Sequence, residues 1–453
     1  MDRPNILFAA ATFNLAETTR MIEIAKASVQ HFQPHFCGYG GPFAHLIGEA
    51  GFPFHLLQPE LTPQKIDYLW KIDQFEAFGD PFSDAELQQR VRSELALYNE
   101  LRPAAVAMGF VLSTSISARV AAIPLVNVVP LPMSRPYLMA GMDILPDFLP
   151  NLPRLPRQAL TRLINWIVLY APLMTGAFRR IAASYGLRRF PSLVGVWEGD
   201  YNLVTDIPLT TGLPTLLPNW SYIGPIFANL EGETPPFIVE LAAKRERPLI
   251  YFAMGSSGQP EIVKTVLESF DGLPVDVIAP IQAYLERIEA RVPPNVYVTD
   301  WLPAPKVNPL VDLAVIHGGQ GTVQTALVSG CPFVGIGMQP EQDINIQAAA
   351  NWGSARRIPK KRVTAAAVRN AVQTLLGDQH AKERARLLQA EYQKWDGAAN
   401  AARFLSKQFG AAQRPHDYRP MQNLDRATPN MAPWLVLAGM AAAGGLVWQR
   451  LRK

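Results

Sequence analysis

Short, uninterrupted apolar runs alternate along this chain with helix-like stretches, and they leave few folds open to it. The second half carries five such runs, in "PLIYFAMG", "VDVIAP", "NVYVTD", "DLAVIHGG" and "CPFVGIG". The first half carries "NILFAAA", "PHFCGYG", "AAVAMG" and "IPLVNVVP", with the helix-like "ETTRMIEIAKASVQHF" after the first of them. A strand that is apolar on both faces has to be covered on both, the condition of a parallel sheet held between two layers of helices. The pattern breaks near "SYIGPIFANLEGETPP". The reading is therefore α/β, with two Rossmann-like domains facing each other across a cleft. The first runs over residues 1–225 and the second over 226–409; 410–430 is a polar linker.

The remainder of the chain is apolar. Met431 to Trp448, "MAPWLVLAGMAAAGGLVW", holds no charge and has a tryptophan near each end. About 18 residues is close to the minimum for a bilayer-spanning helix, and tryptophans favour the interfaces. The expectation is a membrane-anchoring or membrane-associated helix over 431–449 that holds the protein at the cytoplasmic face of a membrane by a single C-terminal anchor. A buried terminal helix is the plainer alternative. A second apolar stretch, Ile164 to Phe178, reads either as an amphipathic helix packed on the first domain or as a contact for acceptor or lipid.

A net charge of +4 suits an anionic ligand or surface, but there is no clustered basic face of the kind that nucleic acid requires. The two cysteines, Cys37 and Cys331, are far apart, which speaks against a disulfide framework and for a reducing compartment.

Chemistry is expected where strands hand over to helices, because ligands of open parallel sheets lie outside the carboxyl ends of the strands. "DLAVIHGGQGTVQTALVSG" has that layout. Unpaired N–H groups open a helix with partial positive charge, and glycines let an oxyanion approach them closely. His317 adds a hydrogen bond and Thr322 a hydroxyl. In isolation, a tight turn explains the same glycines. Three further loops converge on the same end of the sheet. Gly255 and Ser256, with Ser257, follow the first strand of this domain. Trp301 follows another and offers an indole to stack on a base, or simply a core side chain. In "QPEQDIN", Glu341 accepts hydrogen bonds and Gln342 both gives and accepts them, as reading sugar hydroxyls requires.

Together these loops resemble the donor domain of family 1 glycosyltransferases, enzymes of the two-domain GT-B fold. Trp301–Pro303, "HGGQGT", "CPFVGIGMQP" and "EQDIN" follow one another in the family's order and spacing, and "YIGPI" and "DYNLVTDIP" are similar to it as well. The resemblance covers about Met1 to Phe409 and implies that the domain over 1–225 binds the acceptor and that over 226–409 the donor. It implies that Trp301 stacks on the base and that His317, Gly318, Gly319, Gln320, Gly321 and Thr322 surround the diphosphate. It also implies that Ser256 touches a phosphate and that Glu341 and Gln342 read the sugar. The co-substrate is then a nucleotide sugar, a UDP-sugar in the first instance, with no cofactor and no metal. Two positions depart from the family. Thr325, with Gln324 beside it, stands where a ribose-binding Glu is usual, and Ala304 stands in place of a Gln.

The family's general-base His, after the first strand, is also missing. Aligning "TRMIEIAKA" puts Glu17 there, with Asn14 nearby. Glu17 is a candidate base, or a carboxylate merely placed in a first helical turn. The reading is a hexosyltransferase that acts with inversion on the hydroxyl of a lipophilic acceptor. The alternatives are a degenerate relative serving a membrane assembly as a structural or regulatory subunit and, last, a nucleotide-sugar epimerase.

Overall fold

The computed structural model describes residues 3–410 apart from 74–75, 78, 133, 144–156, 188–191, 229–231 and 256–257. Seven parallel strands form the first sheet: β1 (Asn5–Ala10), β2 (Gln33–Gly38), β3 (Phe54–Leu56), β4 (Val106–Gly109), β5 (Leu125–Val129), β6 (Tyr201–Val204) and β7 (Trp220–Tyr222). Their order is β3-β2-β1-β4-β5-β6-β7. The second sheet has β8 (Leu249–Ala253), β9 (Asp276–Ala279), β10 (Val296–Val298), β11 (Leu313–Ile316), β12 (Phe333–Gly335) and β13 (Ala355–Arg357). They run β10-β9-β8-β11-β12-β13, again all parallel. In both sheets the order reverses beside the first strand of the domain, between β1 and β4 and between β8 and β11. A crevice opens at such a switch point.

The central strands β8 and β11 are buried at every residue. Their side chains divide between two clusters, Ile250, Phe252, Leu313 and Val315 on one face and Leu249, Tyr251, Ala314 and Ile316 on the other. Each strand thus feeds two helix layers, which is why it reads as a continuous apolar run and not as an alternating one.

The division of the chain differs from the expected one at its far end. The helix Gly397–Phe409 does not stay with the second domain; it lays Ala401, Leu405 and Phe409 against Ile6, Phe8 and Met21 of the first. The chain therefore crosses between domains twice. The crossings meet where the Gly397 N–H donates to the Pro225 carbonyl at 3.0 Å.

The apolar stretch Ile164–Phe178 is packed on the first domain. In the helix Arg157–Tyr170, Ile167 and Leu169 are buried, and the amide of Asn165 donates to the carbonyls of Leu138 and Met142 at 3.1 and 3.0 Å. The expected single membrane anchor needs correction. No helix among the described residues is long and apolar enough to cross a membrane. The 431–449 segment proposed for it lies outside the described residues.

Candidate active site

β11 leads into His317-Gly318-Gly319, and the helix Gln320–Val328 starts at once, with Gly319 as its N-cap and no side chain capping it. Its first amides are left to a ligand. His317 is buried with the loop wrapped around it, and the glycines follow from that. A Cβ on Gly255 would come within 2.6 Å of the His317 Cε1, and one on Gly319 within 2.6 Å of Nε2. At Gly318, φ is +86° and a Cβ would press on Ile346 Cδ1 at 2.4 Å. Gly321, by contrast, faces open space.

Burial pushes the His317 imidazole down to about 4, with the Ala253 carbonyl only partly offsetting it. The ring is therefore neutral near pH 7, a hydrogen-bonding group and not a cation. Its Nδ1 makes no well-formed hydrogen bond.

Trp301 and Glu341 both lie beyond the carboxyl ends of strands of the second sheet, β10 and β12. Trp301 is 50% exposed, with its ring edge against the backbone of Gly232 and much of the indole open. Glu341 sits in the first turn of the helix Pro340–Trp352, where Oε1 accepts from Asn345 Nδ2 at 2.8 Å. Desolvation pushes its carboxyl up to about 7 against that hydrogen bond, with Asp73 adding to the rise and Arg20 opposing it. Ser256 lies outside the described residues.

Gln342 and Gln320, both expected at the ligand, hold structure instead of facing open space, as does Thr325 at the family's ribose position. Gln342 is buried; its carbonyl takes the Met338 N–H at 2.8 Å and its amide donates to Gln339 Oε1 at 3.1 Å, so it braces the loop. Thr325 turns its hydroxyl back onto the Gly321 carbonyl at 2.7 Å. Gln320 points across the cleft, where its Oε1 accepts from Arg20 Nη2 and from the Thr205 hydroxyl, each at 3.0 Å.

The facing wall holds groups that the sequence reading passed over. Arg20 is 8% exposed and pairs with Glu17 at 2.7 Å. Glu17 lies in the first turn of the helix Leu15–Ser28, which Asn14 caps by accepting from the N–H groups of Ala16 and Glu17. Asp206 is buried; its Oδ2 takes the Leu131 N–H at 2.7 Å and its Oδ1 the Gln324 amide at 3.2 Å. Asp73 receives a hydrogen bond from Gln339 at 2.9 Å. It reaches solvent, yet it stands inside the cleft, where desolvation by the surrounding protein pushes its carboxyl up to about 6. The Arg20 guanidinium thus stands among the carboxylates of Glu17, Asp206 and Glu341, with Asp73 acting on Glu17 and Glu341.

Two parallel-sheet domains that meet at their strand ends, with a bare helix start in the crevice, make up the GT-B architecture. Known proteins agree. Residues 264–404 match the family model "Erythromycin biosynthesis protein CIII-like, C-terminal domain". A PGL/p-HBAD biosynthesis glycosyltransferase of Mycobacterium tuberculosis is 28% identical over 396 residues, 85% of this chain and 88% of that one. Among solved structures, the glycotransferase of kitacinnamycin superposes with a TM-score of 0.67 at 19% identity, covering 90% of this chain and 99% of that one. The glycosyltransferase VinC in complex with DTDP gives 0.63 at 15%, covering 89% and 98%. This chain is a glycosyltransferase of the GT-B fold, similar to those of family 1.

Proposed function

We propose that this enzyme moves a hexose from a nucleotide-diphosphate sugar, of the UDP or dTDP class, to a hydroxyl of a lipophilic acceptor, with inversion at the sugar carbon. The observation that carries the donor half is the uncapped start of the helix Gln320–Val328, with a buried neutral imidazole beside it. As the glycosidic bond to the leaving diphosphate breaks, negative charge grows on the phosphate oxygens. Amides already aimed at that place, together with the His317 N–H, stabilise it without reorganising. Trp301 stacks on the base, and Glu341 orients the sugar hydroxyls.

On the opposite wall, Glu17 takes the proton of the attacking hydroxyl. Arg20 engages its Oε1, leaving Oε2 for that role. The proton passes from acceptor oxygen to carboxylate while the new bond forms at the sugar carbon and the diphosphate departs. A lipophilic acceptor is supported by exposed Phe110 at the carboxyl end of β4 and by exposed Met139 and Leu209 on the short helices Arg135–Met139 and Pro208–Thr211.

The test is calorimetric titration of the protein with UDP and dTDP, followed by turnover of UDP-glucose and dTDP-rhamnose with and without amphiphilic alcohols. Saturable nucleotide binding with acceptor-dependent sugar transfer supports the reading, and transfer confined to small polar acceptors refutes its lipophilic half. Glu17→Gln should lower kcat and spare nucleotide affinity.

A further inference from the structure

Gln320 opens the helix whose bare start receives the diphosphate, yet its side chain turns away to the opposite domain. It is buried there, and its Oε1 accepts from Arg20 Nη2 and from the Thr205 hydroxyl, each at 3.0 Å. Its Nε2 faces the Thr205 carbonyl at 3.4 Å. Two donors on the oxygen and an acceptor before the nitrogen leave the amide one orientation. One turn further, Gln324 Nε2 donates to the same Thr205 carbonyl at 2.7 Å. The helix start is thus seated on the first domain just beyond β6.

The guanidinium that meets Gln320 also holds Glu17. Arg20 Nη1 donates to Glu17 Oε1 at 2.7 Å, one turn back in the helix Leu15–Ser28. Nη1 and Nη2 belong to one rigid plane, so Arg20 fixes its two partners relative to each other.

We propose that Gln320 is a positioning residue for the transfer, acting through Arg20 to keep the Glu17 carboxylate in register with the helix start that takes the leaving diphosphate. This role rests on the inverting reaction and the base named above. Inversion puts the attacking hydroxyl and the departing phosphate oxygen on opposite sides of the sugar carbon. The base comes from one domain and the phosphate site from the other, so no contact within either domain sets their separation. Glu17, Arg20 and Gln320 do set it, because Gln320 is itself the first residue of the phosphate-binding helix. An amide suits that place. It accepts from Arg20 without bringing a negative charge towards the phosphate oxygens, as a carboxylate would. A displacement of about 1 Å in such an arrangement costs about 100-fold in rate.

The experiment is a double-mutant cycle on the full chain: Glu17→Gln, Gln320→Leu and the two together. It reads kcat with the sugar nucleotide that the protein turns over, and Kd for UDP or dTDP. Gln320→Leu should lower kcat about 10- to 100-fold and leave Kd within about threefold, because the helix amides remain. In the Glu17→Gln background the same substitution should cost less than about threefold, since no base is left to misplace. Thr205→Val, which removes only one donor to Gln320, should show the same pattern on a smaller scale and serves if Gln320→Leu fails to fold. Arg20→Lys keeps the charge without the planar fork. It should recover part of the stability that Arg20→Ala loses without recovering kcat.

Losses in kcat that multiply unchanged across the two backgrounds overturn the proposal, as does a Gln320→Leu effect confined to Kd. Wild-type turnover in Glu17→Gln alone would instead refute the base assignment, and the positioning role with it.

Discussion

His317→Ala removes the imidazole from its place between Gly255 and Gly319, and the size of the effect follows from the charge state of the ring. With its pKa near 4, His317 is neutral at pH 7.5, so its contribution is one N–H hydrogen bond to an anionic oxygen and not an ion pair. Such a bond contributes about 1.5–3 kcal/mol. Its loss should weaken Kd for UDP or dTDP, and lower kcat/KM for the sugar nucleotide, by about 10- to 150-fold at ~1.4 kcal/mol per decade. Calorimetry supplies the first quantity and initial rates at subsaturating donor the second.

Cys331→Ala is the control. That thiol is 2% exposed at the far end of the same helix, and its replacement should lower the melting temperature without touching the donor. Neutrality adds a second condition: between pH 6 and 8 the wild-type kcat/KM should show no limb that His317→Ala abolishes. An effect under threefold, an equal loss in Cys331→Ala, or a limb near 6.5 that vanishes in the variant would each refute the reasoning.

Gly321→Ala should leave thermal stability unchanged or slightly raised, because its Cβ enters open space and Ala is the better helix former, yet weaken nucleotide binding where phosphate must approach. Gly319→Ala, with a Cβ 2.6 Å from Nε2, should lose both, as melting curves and titration of the two variants would show. Burial holds the Glu341 carboxyl near 7, so the folded state binds a proton that the unfolded state has already released. Its contribution to stability is full below about pH 4.5 and is lost as pH rises through 7. Urea titrations of wild type and Glu341→Gln across that window should show the slope reduced in the variant. Arg20→Ala leaves Glu17, Asp206 and Glu341 without their shared countercharge and should cost about 3 kcal/mol in urea unfolding. Arg20→Lys should recover part of it.

Much of the fold was legible because the central strands are buried on both faces, and runs such as "LIYFA" and "LAVI" permit little else. The destination of the last helix was not. The apolar positions of Gly397–Phe409 establish that it packs, but nothing local says that Phe409 belongs with Phe8 and not with β11. In the site, the glycines around His317 could be read from their order after an apolar strand, since close approach to a ring and to a helix start is a local requirement. The cross-cleft groups could not, because Arg20 and Gln320 meet only when two domains come together. Gln342 was placed at the sugar for a related reason. A polar side chain at a helix start serves a ligand or its own backbone equally well, and here the Met338 N–H engages it.

The most direct measurement is a crystal structure of the full chain with UDP or dTDP bound. The account predicts the diphosphate oxygens within hydrogen-bonding distance of the Gly321 and Thr322 amides and of His317, with the base against Trp301. A nucleotide seated elsewhere, with that helix start still bare, would contradict it.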